Sequence, residues 1–163
     1  MSADSFRHVL AILDGEPEDY RHVIARAVEL ADAEHARLTL AKTRGPVWLA
    51  HGVCVFPLVA VPPPVDLEQH ARDVLARTAE LIPETVSLSS LLLGDDACLS
   101  LRRLLGRGDY DLVVADERYL RRKRRLRRLL QRADISTLAV ARGERDRSAL
   151  AQEPAEPNPA RHA

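Results

Sequence analysis

Tyr110-Asp111-Leu112-Val113-Val114-Ala115, followed by Asp116-Glu117 and then by nine Arg or Lys residues between Arg118 and Arg132, is the stretch on which the fold turns. The apolar run is short, unbroken and rich in valine. Such a run suits a strand buried on both faces, as in a parallel sheet covered by helices on either side. The basic run after it contains no carboxylate, although the whole chain balances 24 acids against 24 bases. Open α/β sheets bind ligands in crevices at the carboxyl ends of their strands. The junction of the two runs is therefore the first candidate site.

Working outward, strands alternate with helical patterns on both sides. Upstream, Phe6–Leu13 reads as a strand closed by Asp14-Gly15, and Glu16-Pro17-Glu18-Asp19 starts a helix that runs to about His35. Arg37–Lys42 is a second strand. Asp66 caps a helix over Leu67–Leu81, with Val74, Leu75, Thr78 and Leu81/Ile82 inward, and Pro83 ends it. Val86–Leu93 is a third strand, and Asp96–Leu105 a third helix stopped by Gly106. Downstream of the fourth strand, the basic run predicts one helix with Tyr119, Lys123, Leu126, Leu130 and Ala133 on its apolar stripe. Ile135–Ala141 then forms a fifth strand. Residues 1–142 read as one α/β domain and 143–163 as a disordered tail of Ala, Pro, Glu and Arg. Right-handed crossovers leave two five-strand orders, 2-1-3-4-5 and 3-2-1-4-5, and periodicity does not choose between them.

Composition narrows the functional class. The chain has 163 residues and 46% apolar content, which fits a globular protein with a single core. Two cysteines, and a first strand following closely on Met1-Ser2-Ala3-Asp4, point to reduced thiols and a cytoplasmic location. The longest apolar segment, Val47–Val65, is broken by His51, Gly52, Pro57 and Pro62-Pro63-Pro64. It falls short of the roughly 20 residues a membrane span needs. His51 and Cys54 are two potential ligands, which do not make a zinc site, so no metal is expected. Gly106-Arg107-Gly108 precedes a strand instead of following one, which excludes a dinucleotide turn. No nucleophile stands in a recognisable relation to a base, so a non-enzymatic binding role is expected.

Several pieces together resemble the universal stress protein family over residues 5–142. They are a first strand ending in Asp14-Gly15, a Leu-Thr-Leu second strand before a Pro-rich loop, Gly94-Asp95 before a helix, Tyr-Asp-Leu-Val-Val at 110–114, and a Thr-Leu-Ala-Val last strand. The resemblance implies the 3-2-1-4-5 sheet order, a homodimer paired through the last strand, and a role in a stress response or its regulation. It also implies where ATP binds in many members: Gly-x-x-Gly, a spacer, then Gly-Ser or Gly-Thr after the fourth strand. Here that pattern fails at every glycine. Asp116 and Tyr119 stand where the first two belong, and the last pair maps near Lys123-Arg124 after a shortened loop. Only Asp14, matching a first-strand acid near the adenosine, survives. Glycines let backbone N–H groups approach phosphate oxygens, and Asp116 and Glu117 add negative charge there. A degenerate site that takes no ATP in the family manner follows.

The basic run itself allows three readings. Its arginines form a solvated face whose stems cover apolar surface. Alternatively, Arg118, Arg121 and Arg122, with Asp14 and Asp116, hold an anionic nucleotide or nucleotide-derived messenger within the Arg118–Arg125 cluster. Thirdly, Arg124, Arg125, Arg127 and Arg128 contact nucleic acid, although no aromatic residues are interleaved for stacking. Asp14 also suits a plain turn role. Asp116 and Glu117 are expected to pair locally with Arg118. The apolar loop 47–64 either covers the crevice or faces a partner.

Overall fold

Alternation along two central strands builds both cores of this protein. The computed structural model describes residues 6–44, 67–107 and 109–143. The apolar loop 47–64, the Asp66 cap, the zinc candidates His51 and Cys54, and the tail from 144 lie outside the described residues. In chain order the elements are β1 (His8–Leu13), α1 (Pro17–Ala33), β2 (Arg37–Lys42), α2 (Leu67–Glu80), β3 (Leu88–Leu92), α3 (Ala97–Leu105), β4 (Leu112–Asp116), α4 (Glu117–Arg122), α5 (Arg124–Arg132) and β5 (Ser136–Val140). The strands form one parallel sheet in the order β3-β2-β1-β4-β5. This is the 3-2-1-4-5 order that the resemblance implies.

β1 and β4 are the central pair, with Ala11 opposite Val114. Side chains of a strand point alternately to its two faces. Val9, Ala11 and Leu13 of β1 therefore join Leu112 and Val114 of β4 in a core with Val23 and Ala27 of α1 and Val74 and Leu75 of α2. Leu10, Ile12, Val113 and Ala115 face the other way, towards Leu101 of α3, Tyr119 and Leu120 of α4, and Leu126 and Leu130 of α5. Residues 112–115 are all buried, as their unbroken apolar character predicts. The outer strands β3 and β5 are only half-buried, and no described helix is long and apolar enough to cross a membrane.

The largest departure from the sequence pattern is in the basic run. It forms two helices, with Lys123 between them at φ −97° and ψ 69°. A continuous helix would carry Lys123 on the same stripe as Tyr119, Leu126 and Leu130, and burying an unpaired ammonium is costly. The break leaves Lys123 exposed while Tyr119, Leu120, Leu126 and Leu130 stay buried. At the end of α2, Ile82 takes the inward position and Leu81 is 84% exposed. Strands β3 and β5 are shorter than their apolar runs, although Val86 still joins the core.

Burial pushes the phenols of Tyr20 and Tyr119 above their ordinary value, reinforced by Glu16, Glu18 and Asp19 at the first and chiefly by Asp14 at the second. In the unfolded chain each ionises near pH ~10. Above that pH the native state holds more protons than the unfolded one, so stability present below pH ~10 is lost as pH rises towards the folded values. In an absorbance titration, two of the three tyrosines should ionise only together with unfolding. Reversible ionisation of all three in a protein that keeps its far-ultraviolet dichroism would contradict this burial.

Candidate functional site

At the carboxyl ends of β1 and β4 the chain turns within a few residues into the next helices, and Asp14, Lys42, Thr43 and Asp116 there have partners within the protein. Gly15 leaves β1 at φ +84°, a backbone that L side chains rarely adopt, and a Cβ there would lie 2.5 Å from Asp19 Oδ2. That carboxylate instead accepts the Glu16 N–H at 3.1 Å, which fixes the start of α1. The tight turn holds Asp14 at the lip. Its Oδ1 accepts the Thr43 hydroxyl at 2.8 Å, and its Oδ2 lies 4.0 Å from the Arg122 guanidinium.

Lys42, at the end of β2, is 6% exposed. Its ammonium donates to the Gly15 carbonyl at 2.5 Å and lies 5.4 Å from the centroid of the Tyr20 ring. Burial pulls its pKa below the ordinary lysine value, while Asp14, Glu16 and Asp19 act against the shift. A lysine this buried needs such partners to keep its charge. It supports the β1–α1 turn from below.

The decisive geometry is at Asp116. Its Oδ1 accepts the Tyr119 N–H at 2.9 Å, capping α4, and its Oδ2 meets His22 Nε2 of α1 at 2.8 Å. The two side chains expose only 18% and 8% of their surfaces. A helix N-terminus has free N–H groups and partial positive charge, which is why phosphates bind there. At this N-terminus an internal carboxylate takes that place. Because Asp116 both ends β4 and caps α4, no loop separates strand from helix.

Of the five residues singled out from sequence, Asp14 and Arg122 come together across the crevice, and Asp116 lies in its wall. Asp116 and Glu117 do not pair with Arg118. His22 is closer in space to Asp116, and Glu117 pairs with Arg121 one helical turn away at 2.5 Å. Arg118 is exposed and has no ionic partner among the described residues. His22, Lys42 and Thr43 escaped the sequence reading because each meets its partner only through the sheet topology, His22 across 94 positions. Among the described residues no three His, Cys, Asp or Glu side chains gather as metal ligands would.

No protein-family model matches the chain, and no curated protein matches it. Solved structures do. A universal stress protein family member from Burkholderia pseudomallei superposes with a TM-score of 0.52 at 21% identity, over 85% of this chain and 98% of that one. The universal stress protein from Archaeoglobus fulgidus gives 0.55 at 14% identity, over 82% and 97%. The universal stress protein UspA from Lactobacillus plantarum gives 0.50 at 14% identity, also over 82% and 97%. The chain has the universal stress protein fold.

The Asp116 link can be tested by substitution. Asp116→Ala removes the α4 cap and strands the buried His22 ring, and should cost about 1–3 kcal/mol in urea unfolding. Asp116→Asn keeps an acceptor for the Tyr119 N–H and should cost clearly less. An alanine variant as stable as the parent would show that the cap and the His22 contact contribute nothing.

Proposed function

We propose that this chain is a non-enzymatic, universal-stress-protein-like binding module of a stress response or its regulation, acting as a cytoplasmic homodimer whose nucleotide crevice is closed by its own side chains. The observation that carries the reading is the Asp116 carboxylate on the Tyr119 N–H, held from behind by His22. A triphosphate entering after β4 would have to displace a hydrogen-bonded carboxylate and bear its charge. The six-residue helix α4 occupies the stretch where the resemblance puts the glycine loop, and the break at Lys123 falls where the final Gly-Ser maps. Lys42, Thr43 and Asp14 likewise have internal partners already, which a ligand would have to displace.

A ligand that binds the folded state stabilises it by mass action, about 2.7 kcal/mol at a hundred times its Kd, and so raises the melting temperature. Millimolar ATP with magnesium should leave the melting temperature unchanged. A dose-dependent rise abolished by Asp14→Ala would overturn the closed-crevice reading.

One observation favours a second reading, in which an anionic nucleotide or nucleotide-derived messenger binds through Asp14 and the Arg118–Arg125 cluster. Helix α5 starts at Lys123 without a side-chain cap, and Arg124 and Arg125 lie in its first turn. Cations at a positive helix end are unfavourable by themselves and favourable with an anion present. A melting-temperature rise with cyclic nucleotides or ADP, lost in Arg122→Gln, would favour this reading over the first.

The homodimer rests on β5. It closes one end of the sheet, pairs with β4 on one side, and has no strand on the other among the described residues. Such an edge offers unpaired backbone groups to another strand. Light scattering should give a two-subunit mass, and a monomer at high protein concentration would contradict the pairing.

A further inference from the structure

Four arginines line a groove between α3 and α5, and no carboxylate among the described residues answers them. Arg102 comes from α3, and Arg125, Arg128 and Arg132 come from one face of α5, three and four residues apart. Arg26, Arg44, Arg72, Arg121, Arg122 and Arg142 each meet a carboxylate. The guanidinium groups of the four groove arginines have no hydrogen bond or ion pair to any described residue. Like charges gathered this way repel one another, and a structural use would bring them counter-charges.

The groove has a shape to match the charge. It is a half-open groove of about 780 Å³, and Leu105 and Leu129 give it apolar lining beside the Cys98 thiol. Small-molecule sites occupy roughly 300–1,000 Å³, with apolar lining and a few convergent polar groups. Guanidinium forks pair bidentately with phosphate and carboxylate, and four of them suit a ligand with more than one anionic group. Among the described residues no aromatic side chain lines the groove, and none there offers the stacking platform that single-stranded nucleic acids use. The two bounding helices have nine residues each, about 13 Å of length, which is the span of one small molecule.

We infer that the α3–α5 groove binds an organic polyanion, with an apolar or flat body against Leu105 and Leu129 and two or more phosphate, sulfate or carboxylate groups on the four guanidiniums. The groove is lined by none of Asp14, His22, Asp116 and Arg122 of the crevice, and of the Arg118–Arg125 cluster only by Arg125. It stands whether or not that crevice takes a nucleotide.

Cys98 reports on occupancy. In a Cys54→Ser background it is the only thiol, and its reaction with the uncharged reagent 4,4′-dithiodipyridine can be followed by absorbance. Pyrenetetrasulfonate, a flat body with four anionic groups, should slow that reaction in a saturable way. Tripolyphosphate, which has charge but no apolar body, should protect far less at equal concentration. Arg102→Gln/Arg128→Gln should raise the apparent Kd for protection about tenfold or more. Arg21→Gln/Arg26→Gln, with the same loss of charge on α1, should leave it unchanged. With no ligand present, the groove double variant should melt no lower than the parent at low salt, because it relieves repulsion. Absent protection, protection equal in both double variants, equal protection by tripolyphosphate, or stronger competition by single-stranded DNA would each overturn the inference. So would a lower melting temperature of the groove variant, which would make these arginines structural.

Discussion

One carboxylate sets how the chain leaves β4, the neighbour of the central strand. Asp116 ends β4, caps α4 through the Tyr119 N–H, and receives His22 from α1 on its other oxygen. A helix that begins at once after a strand leaves no room for a loop. At the start of α4 the Tyr119 amide, one of those that a loop would offer to phosphate, is already bonded to the Asp116 carboxylate. Tyr119 and Leu120 can then enter the core on the first turn of α4. The cap thus links the sheet, the helix on one face and the helix on the other at a single point.

Charge is distributed to match. Around the crevice most charged groups have internal partners: Asp14 lies by Arg122, Lys42 donates to the Gly15 carbonyl, His22 meets Asp116, and Glu117 meets Arg121, while Arg118 has no ionic partner among the described residues. Arg142, just past β5, reaches the Glu18 carbonyl and the Asp19 carboxylate at the start of α1. The zero net charge of the sequence therefore describes this end of the sheet well and the α3–α5 groove badly. Four guanidiniums without an internal partner among the described residues collect in the α3–α5 groove, apart from Asp14 and Asp116. The break at Lys123 contributes to this, because it starts α5 afresh and carries Arg125, Arg128 and Arg132 along one side.

Much of the fold was legible because its signals are local and periodic. The valine run of β4, the apolar stripes of α1 and α3, and the punctuation by Gly15, Pro83 and Gly106 each speak through neighbours in sequence. The strand order was not legible from periodicity, since two orders serve the same pattern, and the resemblance supplied it. The break at Lys123 was hidden because a lysine at stripe spacing still reads as helix, and only the cost of burying it forces the turn outward. Leu81 and Ile82 compete for one inward position, and spacing alone could not separate them. At the site, Asp14 and Arg122 were visible as charged residues near strand ends. The partners that decide its chemistry, His22 and Lys42, became visible only once β1, β2 and β4 lay side by side.

The most direct test of this account watches the Tyr119 amide during an ATP titration by nitrogen–proton correlation NMR. With Asp116 seated on that N–H, the resonance should stay in place and remain protected from hydrogen exchange up to millimolar ATP with magnesium. A saturable shift of Tyr119 together with the amides of residues 117 to 124 would mean that a phosphate has taken the place of the carboxylate, and the account would be wrong.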